Sequence, residues 1–363
     1  MKETVTIRTV AEAANCAVST VSRALRDDPA ISEASKQRIR EAAEALNYRR
    51  LRRPSVKDST NGNGHSRNTL ADKRLIVVTM GLDRSLTSLP VVNATLCGLE
   101  DALSGFGLRL QMTHVPDLEE IPDHLDSNEL DGVFLIGPLQ GRMLADSNCR
   151  LLREFRELPT VWLHGRPDGC DWGDSVGADD VLVGKMAADF LADHGHQCVA
   201  FVSPKPYQLL MLNRETGFLA QAHRRGLHVQ RFVEPPTGGW TMPIKPPLTI
   251  ETVQHLVDAV LATNPRPTAV FAACDGVATG IYGALTARGV QVGSEMSIIA
   301  GNNDWALISG LHPALTTFDI QAHEIGRLAV RQMESLLRTK EQLPNACLSI
   351  EPRFVRGESV GHL

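Results

Sequence analysis

Short apolar runs alternate with segments of helical periodicity from Leu75 onward. Each run has four or five residues, the length of a buried strand, and helix-like segments separate the runs. This alternation predicts parallel sheets with helices on both faces. Seven runs are too many for one ordinary sheet, so we expect two lobes. The runs are LIVV (75–78), LRLQM (108–112), GVFLI (132–136), TVWL (160–163), VAFVS (199–203), AVFAA (269–273) and SIIAG (297–301).

The segments between the runs predict the helices of these lobes. In sheets of this kind, ligands bind in the crevice at the carboxyl ends of the strands. We therefore expect a binding site where the two lobes face each other. The predicted helices are Leu96–Leu103, Leu182–His194, Glu215–Arg225, Glu251–Ala262 and Gly276–Arg288.

The first 50 residues have a different pattern, of short helices with tight joins. One helix is predicted from Thr6 to about Ala14 and a second over Val18–Leu25. Ser32 and Glu33 form a favourable helix start, and the apolar residues of the third helix fall on one face. Those apolar residues are Ile39, Ala42, Ala43 and Leu46. Three short helices around a small core predict a helix-turn-helix domain.

The distribution of charge supports a nucleic-acid partner for this head. Residues 1–54 contain 11 Lys and Arg against 7 Asp and Glu, a net charge of +4. The rest of the chain has a net charge of −9, so the overall charge of −5 conceals a basic head on an acidic body. A basic head of this kind favours contact with a polyanion.

The second helix, in the stretch VSTVSRAL (18–25), has the composition of a recognition helix. Its small side chains allow close approach to a major groove about 12 Å wide. Its hydroxyl groups can contact bases or phosphates, and the guanidinium of Arg23 can bind a guanine. Val21 and Leu25 would face the small core. Composition alone is equally compatible with a solvated surface helix.

The segments TIRTVAEAANCAVSTVSRAL and ISEASKQRIREAAEALNY resemble the DNA-binding head of the lac-repressor (LacI/GalR) family. The resemblance runs from Thr6 to Tyr48, although Ala17 stands where that family usually has a Ser that caps the recognition helix. It implies base contacts by Val18, Ser19 and Arg23. It implies phosphate contacts by Thr6, Thr20, Ser22, Ser32 and Tyr48.

The segment after Tyr48 departs from that family, whose members usually continue into a hinge helix with a Leu wedge in the minor groove. Here the sequence is RRLRRPSVKD, and Pro54 would break such a helix. We predict that this segment is an electrostatic arm on the DNA, with Leu51 as the residue that could still wedge. The alternative is a solvated basic linker. The predicted DNA contacts of the arm are Arg49, Arg50, Leu51, Arg52 and Arg53.

The remaining sequence resembles the effector-binding core of the same family, which is built like a periplasmic sugar-binding protein. The resemblance covers about residues 74–359 and includes RETGFLAQAHRRGL (214–227) and AVFAACDGVATGIYGALTARGVQVGSEMSIIAGNND (269–304). It implies an effector between the lobes, most often a sugar. The positions that match its effector contacts are Val91, Arg214, Trp240, Asp275 and Asn303. Ordinary alternatives are a helix-surface charge for Arg214, a helix N-cap for Asp275 and a surface aromatic for Trp240.

These features together predict a fold class and a domain plan. The fold class is an N-terminal three-helix helix-turn-helix head followed by an α/β periplasmic-binding-protein-like core of two parallel-sheet lobes. We predict residues 1–50 as the head, 51–73 as a basic flexible linker and 74–363 as the core. Lobe 1 is predicted over about 74–178 and 307–336, and lobe 2 over about 179–305 and 337–363.

The predicted function is a transcription regulator, most often a repressor in this family, that binds double-stranded operator DNA as a homodimer and responds to a small effector. The rival classes are a sugar-binding protein and an α/β enzyme without a role at DNA. The sequence has no dinucleotide fingerprint, phosphate loop or nucleophile elbow, so we expect no enzyme, no catalytic residues and no cofactor. His194, His196 and Cys198 lack an evident fourth ligand, so no metal is expected.

The cellular setting is predicted from what the chain does not contain. No apolar run reaches the about 20 residues that span a bilayer, and the first residues lack a secretory apolar region. Seven scattered Cys without a CxxC pair suit reduced thiols. We therefore expect a cytoplasmic protein, associated with the nucleoid when it is bound to DNA. No Leu heptad follows Arg356, which favours a dimer over a tetramer.

Overall fold

The computed structural model divides the chain into two units, residues 1–65 and 66–363, which are described separately. The residues described are 13, 14, 16, 20, 21, 24, 32–45, 70–120, 122, 125–205, 208–234, 241–245, 251–339 and 344–363.

The first unit has a small apolar core around helix α1 (Glu33–Ala45). Ser32 precedes α1, and its hydroxyl oxygen accepts the backbone N–H of Ser35 at 3.4 Å, which satisfies one of the free amides of the first turn. Ile39 is fully buried, as the predicted apolar face requires. Val21 is also fully buried, which confirms its predicted orientation. The buried core residues are Ala14, Val21, Ala24, Ile39 and Ala43.

The second unit contains a six-stranded parallel sheet in the order β11-β5-β4-β3-β1-β2. Its central strands are continuous apolar runs because helices or loops cover both faces. In β1, Val77 lies beside Met112 of β2 on one side and Phe134 of β3 on the other. The strands are β1 (Leu75–Met80), β2 (Met112–Val115), β3 (Gly132–Ile136), β4 (Thr160–Leu163), β5 (Asp174–Ala178) and β11 (Cys347–Ile350).

A second parallel sheet has the strand order β7-β6-β8-β9. An antiparallel pair, β10 with β12, lies beside it, because Thr316 and Asp319 pair with residues 299 and 302 at the end of β9. Both sheets have the parallel strands that the sequence predicts. The strands are β6 (Cys198–Ser203), β7 (His228–Val233), β8 (Ala269–Ala272), β9 (Ser297–Ile299), β10 (Thr317–Asp319) and β12 (Arg353–Val355).

Helices cover the two sheets, and glycines let the closest helix pairs touch. A Cβ at Gly217 would lie 1.9 Å from the carbonyl oxygen of Val181, and one at Gly98 would lie 1.9 Å from that of His323. No larger residue fits at either crossing without moving a helix. The helices are α2 (Pro90–Ser104), α3 (Arg150–Phe155), α4 (Asp180–Asp193), α5 (Leu209–Arg225), α6 (Glu251–Ala262), α7 (Asp275–Ala287), α8 (Trp305–Ile308) and α9 (Ala322–Arg338). Among the described residues, no helix is long and apolar enough to cross a membrane.

The division into lobes differs from the prediction near the end of the chain. Strand β11 pairs with β5 of lobe 1, although residues 337–363 were assigned to lobe 2. Strand β10 lies with lobe 2, although residues 307–336 were assigned to lobe 1. The apolar side chains explain both differences: Ile350 packs on the core of lobe 1, whereas Phe318 is buried in that of lobe 2. The chain therefore passes between the lobes near residues 179, 321 and 352.

Two further links join the lobes without a chain crossing. In the first, residues 241–245, which we call the strap and which come between β7 and α6 of lobe 2 in the sequence, pair with the end of β1. The N–H of Ile244 donates to the carbonyl oxygen of Gly81 at 2.9 Å, and the N–H of Asp83 donates to that of Ile244 at 2.8 Å. Met242 of the strap packs on the core of lobe 1.

The second link lies at the start of α5. Gln208 forms an antiparallel bridge with Gln140, which follows β3. The N–H of Leu209 donates to the carbonyl oxygen of Leu139 at 2.8 Å. The first turn of a lobe 2 helix is therefore held by backbone of lobe 1.

Candidate functional site

The carboxyl ends of β8 and β9 hold a buried acid, Asp275, at the first position of α7. Its side chain is fully buried. One carboxylate oxygen accepts the Thr317 hydroxyl at 2.7 Å, and the other accepts the backbone N–H of Asp304 at 2.8 Å. Burial raises the pKa of Asp275 to about 6 against these two hydrogen bonds. Cys274 occupies the N-cap position, so Asp275 is not the cap of its helix.

Arg214 lies on α5 and is 1% exposed, so it is not a surface charge. Its Nε donates to Asp180 at 2.8 Å, and its Nη2 donates to the side-chain oxygen of Asn302 at 2.8 Å. Its Nη1 donates to the carbonyl oxygens of residues 273 and 301, at 2.8 and 3.2 Å. These bonds use four of the five guanidinium N–H groups, so one remains for a ligand.

Asp180 opposes Arg214 across the packed helices α4 and α5 and is 4% exposed. Burial raises the pKa of the Asp180 carboxyl, against the attraction of the guanidinium. Removal of Arg214 would leave this carboxylate buried without its cation, which costs about 3–5 kcal/mol. The pair therefore holds α4, α5 and the end of β9 together, whatever else it binds.

The segment after β9 has an unusual backbone at two consecutive positions. Asn302 has a φ of 140° and Asn303 a φ of 58°, both in the left-handed region that favours glycine. The Asn302 amide also donates to the Asp304 carboxylate at 3.0 Å. Backbone strain of this kind is concentrated at functional sites and is held in place by the surrounding contacts. Burial raises the pKa of Asp304 as well.

The structure brings three of the predicted effector contacts together. Arg214, Asp275 and the segment that contains Asn303 meet at the carbonyl of Gly301, which accepts from Arg214 and from the Asp275 backbone. Val91, on α2, packs against the cores of both lobes and therefore lies where the lobes meet. Trp240 lies outside the described residues.

Three residues at the lobe boundary were not predicted from the sequence. His164 directly follows β4, has a φ of 66° and is 9% exposed. Gln140 follows β3, and Gln208 precedes α5. Each has a buried side-chain atom without a hydrogen-bond partner, namely His164 Nε2, Gln140 Oε1 and Gln208 Oε1. The carboxyl ends of strands predict the place of such residues but not their identity.

Most of the predicted DNA contacts lie outside the described residues. Of the head, Thr20 is helical and partly buried, and Ser32 is exposed at the start of α1. The hydroxyl of Ser32 donates to that of Ser35 at 3.0 Å. The predicted contacts that are not described are Thr6, Val18, Ser19, Ser22, Arg23, Tyr48, Arg49, Arg50, Leu51, Arg52 and Arg53.

The histidine and cysteine cluster considered for a metal has other partners. His196 Nδ1 lies 2.8 Å from the Thr268 hydroxyl, and Cys198 Sγ lies 3.8 Å from the carbonyl oxygen of Pro265. Within the described part of the chain, no group of three or more His, Cys, Asp or Glu side chains is arranged to hold a metal ion.

Comparison with known families matches both parts of the chain. Residues 6–50 match the family described as bacterial regulatory proteins, lacI family. Residues 188–360 match the periplasmic binding protein-like domain. The chain belongs to the lacI family of bacterial regulatory proteins. The order of a lacI-type head and a two-lobed core is the one expected from the sequence.

Full-length relatives agree with this family assignment. The chain is 26% identical to the HTH-type transcriptional regulator GanR of Bacillus subtilis, with 93% of this chain and 94% of that protein covered. It is 24% identical to the ribose operon repressor of Escherichia coli K12, with 90% and 91% covered. This lacI-family chain is therefore a transcription regulator of the helix-turn-helix type.

Solved structures share the fold of this lacI-family chain. A transcriptional regulator CelR–cellobiose complex superposes with a TM-score of 0.64 at 19% identity, with 98% of this chain and 99% of that chain covered. A LacI family regulator from Enterococcus faecium with bound ribose superposes with a TM-score of 0.60 at 18% identity, with 79% and 99% covered. At these identities the likeness concerns the fold.

Proposed function

We propose that this regulator is a repressor that binds a pseudo-palindromic operator as a homodimer and responds to a sugar or sugar derivative between its lobes. The observation that carries the proposal is the union, in one chain, of a lacI-type head with two lobes that meet at buried polar groups. Neither part alone would couple a small molecule to DNA.

Two observations support a sugar as the effector. One relative is named for the ribose operon, and two structures of the same fold contain cellobiose or ribose. Lobe 2 of this chain also has a buried acid and a buried guanidinium at the carboxyl ends of its strands. Donors and acceptors in fixed positions suit a ligand with several hydroxyl groups.

Coupling to DNA follows from the two-lobed construction. An effector that binds one arrangement of the lobes more tightly than another shifts the population toward that arrangement. In a dimer, this shift changes the separation and angle of the two heads, and thus the fit to two half-sites. By linkage, operator DNA changes the affinity for the effector by the same factor.

The basic head supplies the contact with DNA in this proposal. Its net positive charge favours phosphates, whereas the acidic body does not. Within the head, Arg23 reads base edges and the hydroxyl groups of the recognition helix position it on the backbone. A regulator of this kind works in the cytoplasm, at the nucleoid, and has no enzymatic activity of its own.

The test of this function is selection of DNA from a random duplex library by the full chain, with Arg23→Ala in parallel. We expect a two-fold symmetric site for the wild type, and a loss of about 1–3 kcal/mol with relaxed preference at one position per half-site for the variant. Arg38→Ala, an exposed change on α1, is the matched control and should retain the preference.

Two results would refute the function. Binding that depends on salt but selects no sequence would leave only a non-specific polyanion-binding protein. A ligand-responsive core with no DNA binding at any salt concentration would favour a sugar-binding protein, and turnover of the ligand would favour an enzyme.

A further inference from the structure

Three buried polar atoms without partners lie at the boundary between the lobes. They are Gln140 Oε1, His164 Nε2 and Gln208 Oε1. The side chains of Gln140 and His164 are only 7% and 9% exposed. Their places at the ends of β3 and β4 and at the start of α5 are set by the fold.

Backbone contacts place these residues in one neighbourhood. Gln140 pairs with Gln208 across the boundary. A Cβ at Gly165, next to His164, would lie 3.9 Å from the side chain of Leu209, the residue after Gln208. His164 is therefore close to the same first turn of α5 that Gln140 contacts.

An unpartnered buried polar atom is unfavourable, by about 1–3 kcal/mol for each uncharged group. Most buried polar groups in proteins are hydrogen-bonded, so an exception needs an explanation. Of six such atoms in the described residues, three belong to this one neighbourhood. A ligand that supplies the missing hydrogen bonds explains why they lie together.

The chemistry of the three side chains limits the ligand. Two are amides, and burial lowers the pKa of the His164 imidazole to about 4, so all three are uncharged at neutral pH. The nearby guanidinium of Arg214 already faces Asp180 at 2.8 Å. An anionic group placed among these three side chains would lose its hydration and find no opposite charge on any of them.

We propose that Gln140, His164 and Gln208 bind the effector and select a neutral, polyhydroxylated molecule over a uronate or a sugar phosphate. This inference rests on the proposed function, because it takes the lobe boundary as the effector site. An amide oxygen accepts from a hydroxyl, and an imidazole nitrogen can donate or accept, so each of the three atoms can pair with one hydroxyl of a sugar.

Lys205 offers a direct test of whether the site selects neutral ligands over anions. Lys205 lies three residues before Gln208, beyond the end of β6, and is partly exposed. If the effector were an anion, this ammonium group would be the natural partner from lobe 2. In the proposed site it has no role, so Lys205→Gln should leave ligand binding unchanged.

The same atoms predict an unusual effect on stability. The substitutions Gln140→Leu, His164→Leu and Gln208→Leu each remove a buried polar atom that has no partner in the protein. The unliganded variants should therefore melt at the wild-type temperature or above it, while each loses about tenfold or more in affinity for the ligand. Substitution of a residue with a purely structural role would instead lower the melting temperature and leave the affinity for the ligand unchanged.

The experiment is a thermal-shift and calorimetric screen on the full chain. The probes are glucose, galactose, ribose and cellobiose, each beside a charged counterpart: glucuronate, galacturonate, ribose 5-phosphate and cellobiose 6′-phosphate. We expect stabilisation by a neutral sugar and none by its charged counterpart. The three Leu variants should lose this response, and Lys205→Gln should keep it.

Gln230 provides a second control, because it has the same kind of unpartnered amide oxygen elsewhere in the protein. Gln230 on β7 also has a buried Oε1 without a partner, but it lies beside Pro265, to whose carbonyl oxygen its amide donates at 2.8 Å. Gln230→Leu should therefore leave the ligand response intact. Loss of the response in this variant as well would show that the Leu substitutions act through general disruption, and would overturn the assignment.

Several outcomes would overturn the proposal. These are stabilisation only by a charged sugar, loss of the response in Lys205→Gln, an unchanged response in all three Leu variants, or unliganded Leu variants that melt well below the wild type. No response to any probe, with operator binding intact, would refute the ligand class but not the regulator. A selective neutral-sugar response without DNA binding would refute the regulator but not this site.

Discussion

The buried Asp275 should make the stability of this protein depend on pH in a specific direction. Its pKa is raised from 3.8 to about 6, mainly by burial. The folded protein thus binds a proton more tightly than the unfolded chain does. The stability that this group contributes is fully present below about pH 4 and is lost as the pH rises through about 6.

The size of this effect follows from the difference between the two pKa values of Asp275, 3.8 in the unfolded chain and about 6 in the folded protein. At about 1.36 kcal/mol for each pKa unit, the interval corresponds to about 3 kcal/mol at most. Asp304 raises the pKa through its charge, whereas Arg214 and the Thr317 hydroxyl lower it. In Asp275→Asn, the amide can still accept from the Asp304 N–H and donate to the Thr317 hydroxyl, so the packing is retained.

The assay is urea denaturation of the wild type and Asp275→Asn between about pH 4 and pH 8. The difference in free energy of unfolding cancels the titration of all groups that the two proteins share. We expect the Asn variant to gain about 1–3 kcal/mol relative to the wild type, with the gain made between about pH 4 and about pH 6 and levelling off at higher pH. A difference that is constant with pH, or that changes with the opposite sign, would refute the reasoning.

Four further predictions follow from the structure and the sequence. Gly217→Ala should destabilise the protein by about 2–3 kcal/mol in urea denaturation, because the added Cβ meets the Val181 carbonyl, whereas Gly310→Ala has open space and should change it by less than about 0.5 kcal/mol. Wild-type protein should lose stability relative to His164→Leu as the pH falls from 6.5 toward about 4, since burial depresses the pKa of His164; a difference between the two proteins that is the same at about pH 7 and about pH 5 would contradict this. Replacement of Arg49, Arg50, Arg52 and Arg53 by Ala should flatten the salt dependence of operator binding by about 0.9 for each phosphate that is no longer neutralised, as a salt titration would measure. Leu51→Ala should have a mild effect in a DNA-bending assay, and a severe loss of bending would show a wedge in place of the arm.

Buried parallel strands were the part of the fold that sequence pattern predicted best. GVFLI and TVWL match β3 and β4 residue for residue, because strands covered on both faces are continuous apolar runs. The run LRLQM was wrong in its bounds, since β2 begins only at Met112. Leu108 and Leu110 pack on the core of lobe 1 without joining the sheet there.

Polar and edge strands were missed for a physical reason. Strand β5 has the sequence DSVGA, and β7 at the edge of its sheet has HVQRFV. Asp174 is buried in β5 because it accepts the Gln332 amide at 2.6 Å and the Ala346 N–H at 2.7 Å. Partners so distant in sequence leave no local pattern, so such a strand cannot be recognised from its own residues.

The candidate site was predicted in position more fully than in chemistry. Resemblance to the family indicated Arg214 and Asp275, and the structure places both at the carboxyl ends of the strands of lobe 2. The resemblance could not indicate that Arg214 already donates hydrogen bonds to Asp180 and Asn302, because those bonds depend on the packing of α4 against α5. His164 has no motif of its own, and only its burial after β4 marks it.

The strap and the Gln208–Leu209 link should reinforce each other, as the two donor groups of a chelating ligand do. Residues 241–245 hold lobe 1 at the end of β1, while Gln208 and Leu209 hold it beyond β3. Each link raises the effective concentration of the other, because the chain already keeps the second pair of partners close when the first is formed. Breaking one link should therefore weaken the other, and amide exchange at Asp83 and Leu209 should quicken together when either is disrupted.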